Sequence, residues 1–417
     1  MVYMKRFLLI LVCLSLLFTC VGSVTATADI NPDYKPPEKP KEEYTYSVAN
    51  GEVSLMYRCS YSTTFEIPET IEGYPVTKVE FGNAFVDDVL RVLYIPKTVK
   101  TISSSINYGN RGLQTIVVDE ENPYFSSVDG VLYNKDKTVL FHYPAMKKGA
   151  VKFESTMTEI GESAFYLCNG ITAVIVPDGI TSIKESTFSY NHSLVSVELP
   201  DSLENIEPGA FGGCISLKQI NLPEGLKTIG SGAFRGCISL QNIVFPESLT
   251  HIAERAFFHC KKLDSVILPK GLVEIGELAF GYIDYSTLCC IYWEANPNFT
   301  IYGYKNTLAM EYAEWEEPAY TESGVRLPVF PKFNFIPLDY FTDPDHPPLA
   351  GDVDADENCS ATDALYVLKN VVGKHSFHQS QIPVADMDGD GNITAADALE
   401  ILRSVVGKIP SFPEKRV

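Results

Sequence analysis

Leu217-Lys-Gln-Ile220-Asn-Leu222-Pro223-Glu-Gly-Leu226-Lys-Thr-Ile229-Gly230-Ser-Gly-Ala233-Phe234 is one copy of a phrase that the chain repeats. Outward from it, Phe165, Phe188, Phe211, Phe234, Phe257 and Phe280 recur every 23 residues, and Pro177, Pro200, Pro223, Pro246 and Pro269 keep the same interval. Thr187 stands where the other copies have Ala before the Phe. A fixed period of this size is the signature of a stacked repeat. Inside the phrase, Ile220 and Leu222 alternate with Asn221 and read as a short strand with two inward residues. Pro223 ends it, because proline has no N–H for the ladder. Leu226 and Ile229 turn the chain back over the core, and Gly230 is expected at a position of positive φ. Phe234 fills the interior, with Ala233 small enough for close approach. A single coil buries too little apolar surface to offset the entropy of ordering it, so neighbouring coils must supply the rest.

The phrases Cys214-Ile-Ser-Leu217-Lys-Gln-Ile220-Asn-Leu222-Pro223 and Ile229-Gly-Ser-Gly-Ala233-Phe234, repeated in register, resemble bacterial leucine-rich repeats of the BspA-like (Treponema pallidum) type. The resemblance implies a right-handed solenoid on a secreted or surface protein, and a binding role without a specified ligand. The outward strand positions Ile175, Glu198, Asn221, Val244 and Ile267 line one ladder. Three are apolar, which fits either a contact face or ordinary surface.

The array starts loosely at Tyr44, as a capping coil does. Around residues 116–150 the period is interrupted, and Asp129-Gly130 and Asn134-Lys-Asp136 are turn signals between short hairpin strands. After Phe280 the phrase decays. Phe299 to Tyr304 reads as a last strand, followed by a capping helix with Asn306 or Thr307 at its N-cap.

Residues 351–409 carry a second duplication, with a spacing of 34. Asp352, Asp354, Asp356, Asn358 and Asp363 fall at loop positions 1, 3, 5, 7 and 12, and Asp386, Asp388, Asp390, Asn392 and Asp397 match them. This is calcium-loop spacing, since calcium takes six to eight hard oxygens and a 12-residue loop wraps them round one ion. Each loop leads into an apolar helix: Ala364-Leu365-x-Val367-Leu368-x-x-Val371 matches Ala398-Leu399-x-Ile401-Leu402-x-x-Val405. Two such units resemble a type I dockerin. The resemblance implies two calcium ions and a cohesin domain as partner, on a cellulosome scaffold or an anchoring protein. It assigns recognition to Ala361, Thr362, Leu368, Lys369, Ala395, Ala396, Leu402 and Arg403. The loops end in Asp, as dockerin loops do. Glu357 stands where the second loop has Gly391, and Cys359 where it has Ile393, so the first loop is expected to bind calcium more weakly. The fold class is therefore a leucine-rich-repeat solenoid of short parallel strands, one per 23-residue coil and mixed α/β, plus a small all-α calcium-binding dockerin domain.

The remaining segments set the address. Lys5-Arg6, the apolar run Phe7 to Phe18 and Ala26-Thr27-Ala28 read as a secretory signal over residues 1–28. Lipidation at Cys20 is an alternative that Phe18-Thr19 fits poorly. Residues 29–43 are a proline-rich spacer, 336–350 a linker and 410–417 a tail. No later run is long and apolar enough to span a bilayer. The formal net charge of −20 argues against nucleic acid and anionic membrane as partners. Cys168, Cys214, Cys237 and Cys260 share one repeat position, where Asn191 also falls, which favours buried thiols over disulfides between coils. The histidines are scattered, and no nucleophile elbow, zinc-helix motif or phosphate loop appears, so an enzyme is not expected. The function read from the sequence is a non-catalytic binding protein docked to an extracellular assembly. The alternatives are an adhesin anchored by its dockerin and, less well supported, a carbohydrate-active enzyme.

Overall fold

The computed structural model describes residues 43–58, 62–81, 89–103, 106–284, 293–296, 298–314, 333–338, 352–355, 361–371, 381–387 and 392–405. The expected signal segment, almost all of the spacer, and Cys289-Cys290 lie outside the described residues.

The solenoid opens with a hairpin. Strands β1 (Tyr44–Ala49) and β2 (Glu52–Tyr57) pair antiparallel across Asn50-Gly51, whose φ values of 50° and 77° are those of a tight hairpin turn. β3 (Thr64–Glu66), β4 (Thr70–Ile71), β5 (Tyr74–Phe81), β6 (Val92–Ile95) and β7 (Thr101–Ile102) follow, with β5 parallel to β2 and to β7. A short helix α1 (Ile106–Gly109) precedes β8 (Thr115–Val118). β9 (Phe125–Val128), β10 (Val131–Asn134) and β11 (Val139–His142) then form the antiparallel insertion that the turn signals indicated. The insertion is sewn in by polar side chains. Asn107, on α1, donates to the carbonyls of Tyr143 and Tyr166 at 2.9 Å each and accepts from the Ala145 N–H. Asn122, fully buried, donates to Pro96 and Val99 carbonyls and accepts from the Tyr124 and Phe125 N–H groups.

β12 (Glu159–Ile160) joins the insertion to the regular array. There the coils lie in register and carry two ladders of parallel strands. One is β13 (Ala173–Ile175), β15 (Ser196–Glu198) and β17 (Gln219–Ile220). The other is β14 (Ser182–Ile183), β16 (Asn205–Ile206), β18 (Thr228–Ile229), β19 (His251–Ile252) and β21 (Glu274–Ile275). The sequence pattern indicated one strand per coil. The second ladder is only two residues wide, too short for alternation to reveal it. A third line of coil-to-coil bonds runs through the Ala-Phe corners, where Phe211 N–H donates to Ala233 O at 2.7 Å and Phe234 N–H to Ala256 O at 2.8 Å.

The 23-residue register stacks identical side chains. Phe188, Phe211, Phe234, Phe257 and Phe280 are buried, with successive ring centroids 5.0–5.4 Å apart and planes within 8–10°. The repeat cysteines are free thiols beside this ladder: Cys214, Cys237 and Cys260 each donate Sγ–H to the carbonyl 26 residues upstream, at 3.1–3.2 Å. Gly230 does not have positive φ, contrary to expectation. Instead a Cβ there would lie 2.6 Å from the Pro208 nitrogen, so glycine serves close packing between coils. The left-handed positions lie elsewhere in the coil, at Gly209, Gly213, Gly232 and Gly236.

At the far end, β20 (Ser265–Ile267), β22 (Tyr282–Asp284), β23 (Trp293–Ala295), β24 (Thr300–Gly303) and helix α2 (Leu308–Glu314) close the array. The Tyr312 hydroxyl on α2 accepts from Phe280 N–H at 2.9 Å, the bond that a further coil would otherwise make. Thr307 starts α2, its carbonyl accepting from the N–H groups of Met310 and Glu311. A final strand β25 (Asn334–Pro337) pairs parallel with β24. It crosses residue 335, where the sequence pattern suggested that the solenoid gives way to a linker. Beyond it lie α3 (Ala361–Val371), α4 (Ile382–Ala385) and α5 (Ala395–Val405), packed round Val353, Ala364, Val367, Ala385, Ala398 and Ile401.

Candidate metal and docking site

Asp363 and Asp397 sit in the first turns of α3 and α5, where the helix N-terminus favours negative charge. Both are fully buried. Asp363 Oδ1 accepts from the Val353 N–H at 2.8 Å and the Asp354 N–H at 3.3 Å, which folds the start of the loop onto its end. In the second loop Asp397 Oδ1 accepts from Met387 N–H at 2.8 Å, and its Oδ2 accepts from Thr394 N–H at 2.7 Å. The two halves thus repeat the same closure.

In the first loop, oxygens of Asp352, Asp354 and Asp363 lie within 4.8 Å of one another, and two of the three residues are fully buried. Three carboxylates this close repel strongly in a low-dielectric setting unless a cation neutralises them. An all-oxygen set suits a hard ion such as calcium. Of the sequence-predicted ligands, Asp386 is half-buried and Asn392 exposed, and both belong to the second loop. Asp356, Asn358, Asp388 and Asp390 lie outside the described residues, as does Glu357. The first loop shows another departure. Ala355 holds φ 59°, a left-handed position where the second loop has Gly389.

The outer face of α3 and α5 is apolar and duplicated. Leu365 and Leu399 are 51% and 47% exposed, Leu368 and Leu402 38% and 37%, and Val371 and Val405 42% and 44%. Leu368 and Leu402 were predicted; the other four were not. Their signal was available in the sequence, because each helix carries more apolar residues than one core stripe needs. Ala395 and Ala396 are exposed at the start of α5. The side chains of Ala361, Thr362, Lys369 and Arg403 lie outside the described ones.

On the solenoid, Ile175 and Val244 are 65% and 78% exposed, as the ladder of outward positions implied, but Ile267 is half-buried against the end of the array. A groove of about 860 Å³ crosses the Ala-Phe corners, lined among others by Tyr166, Tyr190, Gly213, Arg235, His259 and Asp284. Tyr190 and His259 hold φ 58° and 64° at the coil position where Gly213 and Gly236 hold 72° and 75°. Bulky residues are uncommon there and cost about 1 kcal/mol or more each. Sequence reasoning missed this groove, because its walls come from residues that break the repeat.

These features define a repeat solenoid joined to a duplicated acidic-loop module. Residues 142–225 and 183–292 match the family described as BspA type leucine rich repeat region, with six copies, and residues 350–405 match the dockerin type I domain. The chain carries BspA-type leucine-rich repeats and a type I dockerin, a domain type that binds calcium. Among solved structures, a leucine-rich repeat protein from Eubacterium ventriosum is 24% identical, over 52% of this chain and 63% of that one, with a TM-score of 0.40. The pneumococcal vaccine antigen PcpA is 22% identical, over 60% and 64%, with a TM-score of 0.44. The T. pallidum leucine rich repeat protein is 22% identical, over 54% and 90%, with a TM-score of 0.30. The chain thus spans under two thirds of the first two. No curated protein sequence matches it. Among the described residues no helix is long and apolar enough to cross a membrane.

Proposed function

We propose that this is a secreted, non-catalytic binding protein. Its dockerin, loaded with two calcium ions, plugs into a cohesin domain of a cellulosome scaffold or anchoring protein. The paired exposed rows on α3 and α5 carry this reading: a duplicated apolar strip beside two acidic loops suits a protein receptor and leaves the metal to hold the loops. The first loop binds calcium more weakly than the second, because Glu357 and Ala355 replace glycines. The solenoid presents its groove or its outward ladder to a protein or polysaccharide. A second reading, an adhesin that uses the dockerin only as an anchor, shares every domain and differs in that ligand.

Capture of the full chain on an immobilised type I cohesin tests the docking. Capture is expected with calcium and not with chelator, and Leu368→Asp combined with Leu402→Asp should weaken it about a hundredfold or more. Capture that survives removal of all divalent ions refutes the reading. Binding to plant polysaccharides, against binding to host or bacterial proteins, separates the two readings. Hydrolysis of any glycan or peptide overturns both.

A further inference from the structure

The two halves of the dockerin are not equivalent in this chain, because the first half touches the solenoid. Tyr302, Ile336, Leu338 and Val384 form a cluster buried to 4% exposure or less, with Ile267, Tyr304 and Ala355 packed against it. Tyr302, Ile336, Leu338, Ile267 and Tyr304 belong to the last coils, while Val384 and Ala355 belong to the dockerin. Side-chain hydrogen bonds also cross the boundary, one between Gln381 and the Tyr302 hydroxyl and one between Thr300 and the Tyr366 hydroxyl. Gln381 in turn donates to the Val353 carbonyl at 2.8 Å, inside the first calcium loop.

The residues that make this contact are those that break the 34-residue duplication. Ala355 corresponds to Gly389 and Tyr366 to Glu400, while Gln381 and Val384 lie between the halves. A carboxylate at the Tyr366 position could not share this apolar boundary at so little cost. Neighbouring residues divide their work: Val353 enters the dockerin core, Asp354 faces its fellow carboxylates, and Ala355 packs on the solenoid. On α4 likewise, Val384 packs on the solenoid and Ala385 enters the dockerin core.

We infer that the open end of the solenoid is a docking surface for the chain's own first calcium loop, so that calcium binding there clasps the dockerin onto β24 and β25. The exposed rows on α3 and α5 stay free for a receptor, which meets the module at a set angle to the solenoid. Stripping calcium loosens the loop that carries Ala355 and Val353, and the solenoid end loses its cover. The inference rests on the calcium reading of the first loop and not on the identity of the receptor.

Hydrogen exchange of the full chain, with calcium and with chelator, reads the clasp at the amides of β24 and β25. Calcium should slow their exchange about tenfold or more. Val384→Asp and, on the solenoid side, Tyr302→Ser should each abolish that difference while calorimetric calcium binding and cohesin capture persist. Equal exchange with and without calcium, in a chain that binds calcium, overturns the clasp alone. So does a calcium effect that persists in both variants. Absence of calcium binding overturns the calcium reading and the clasp with it.

Discussion

Asn191 offers a direct test of how the solenoid interior is built. It occupies the slot that Cys168, Cys214, Cys237 and Cys260 fill in other coils. Each of those thiols is buried and donates to an upstream carbonyl, as Cys237 does to Phe211 O at 3.2 Å. Asn191 is fully buried too, but neither its amide nitrogen nor its amide oxygen finds a hydrogen-bond partner among the described residues. An unpaired buried polar group costs about 1–3 kcal/mol. Asn191→Cys removes both orphans at similar volume and puts a weak S–H donor near Phe165 O, the carbonyl 26 residues upstream. The expected gain is about 2 kcal/mol, or a rise of about 4 °C in Tm. Thermal melts of the calcium-saturated chain under reducing conditions measure it, with Asn191→Ala as a control that removes the amide but leaves a void. A Tm for Asn191→Cys at or below that of the parent would refute the claim that this slot is selected for a small, weakly polar side chain.

The phenylalanine stack and the buried histidine give two further expectations. Phe211→Ala should lose about 3–5 kcal/mol, and Phe211→Leu about 1–3 kcal/mol because it keeps burial but breaks two ring contacts. Urea unfolding reads both, and a leucine variant as stable as the parent would show that the stacking adds nothing. His142 is fully buried, its ring nitrogens lack partners among the described residues, and burial pushes its pKa down to about 3. The unfolded chain gains that proton near pH 6.5 while the folded chain does not, so the stability from a neutral His142 is present above pH 6.5 and falls with pH down to about 3. Between pH 6.5 and 4.5 the parent should lose about 2 kcal/mol more than His142→Leu. Parallel pH profiles for the two would show that the histidine titrates normally.

The burial ladders were legible in the residues alone. Phe165 to Phe280 at a constant spacing dictate a stack, because identical coils bury identical side chains in register. The paired Asp spacings point to loops that gather oxygens for a hard cation, and folding brings oxygens of Asp352, Asp354 and Asp363 of the first loop within 4.8 Å of one another. Three things were not legible. The second strand ladder rests on two residues per coil and emerges only once neighbouring coils lie side by side. Gly230 is required by the Glu207-Pro208 backbone of the previous coil, a distance that no local reading contains. The clasp between Tyr302, Ala355 and Val384 joins residues far apart in the chain, and only folding brings β24, β25 and the first acidic loop together. Periodicity determines what each coil must bury, whereas the ends of an array have no next coil to copy, and there the tertiary structure alone decides what covers them.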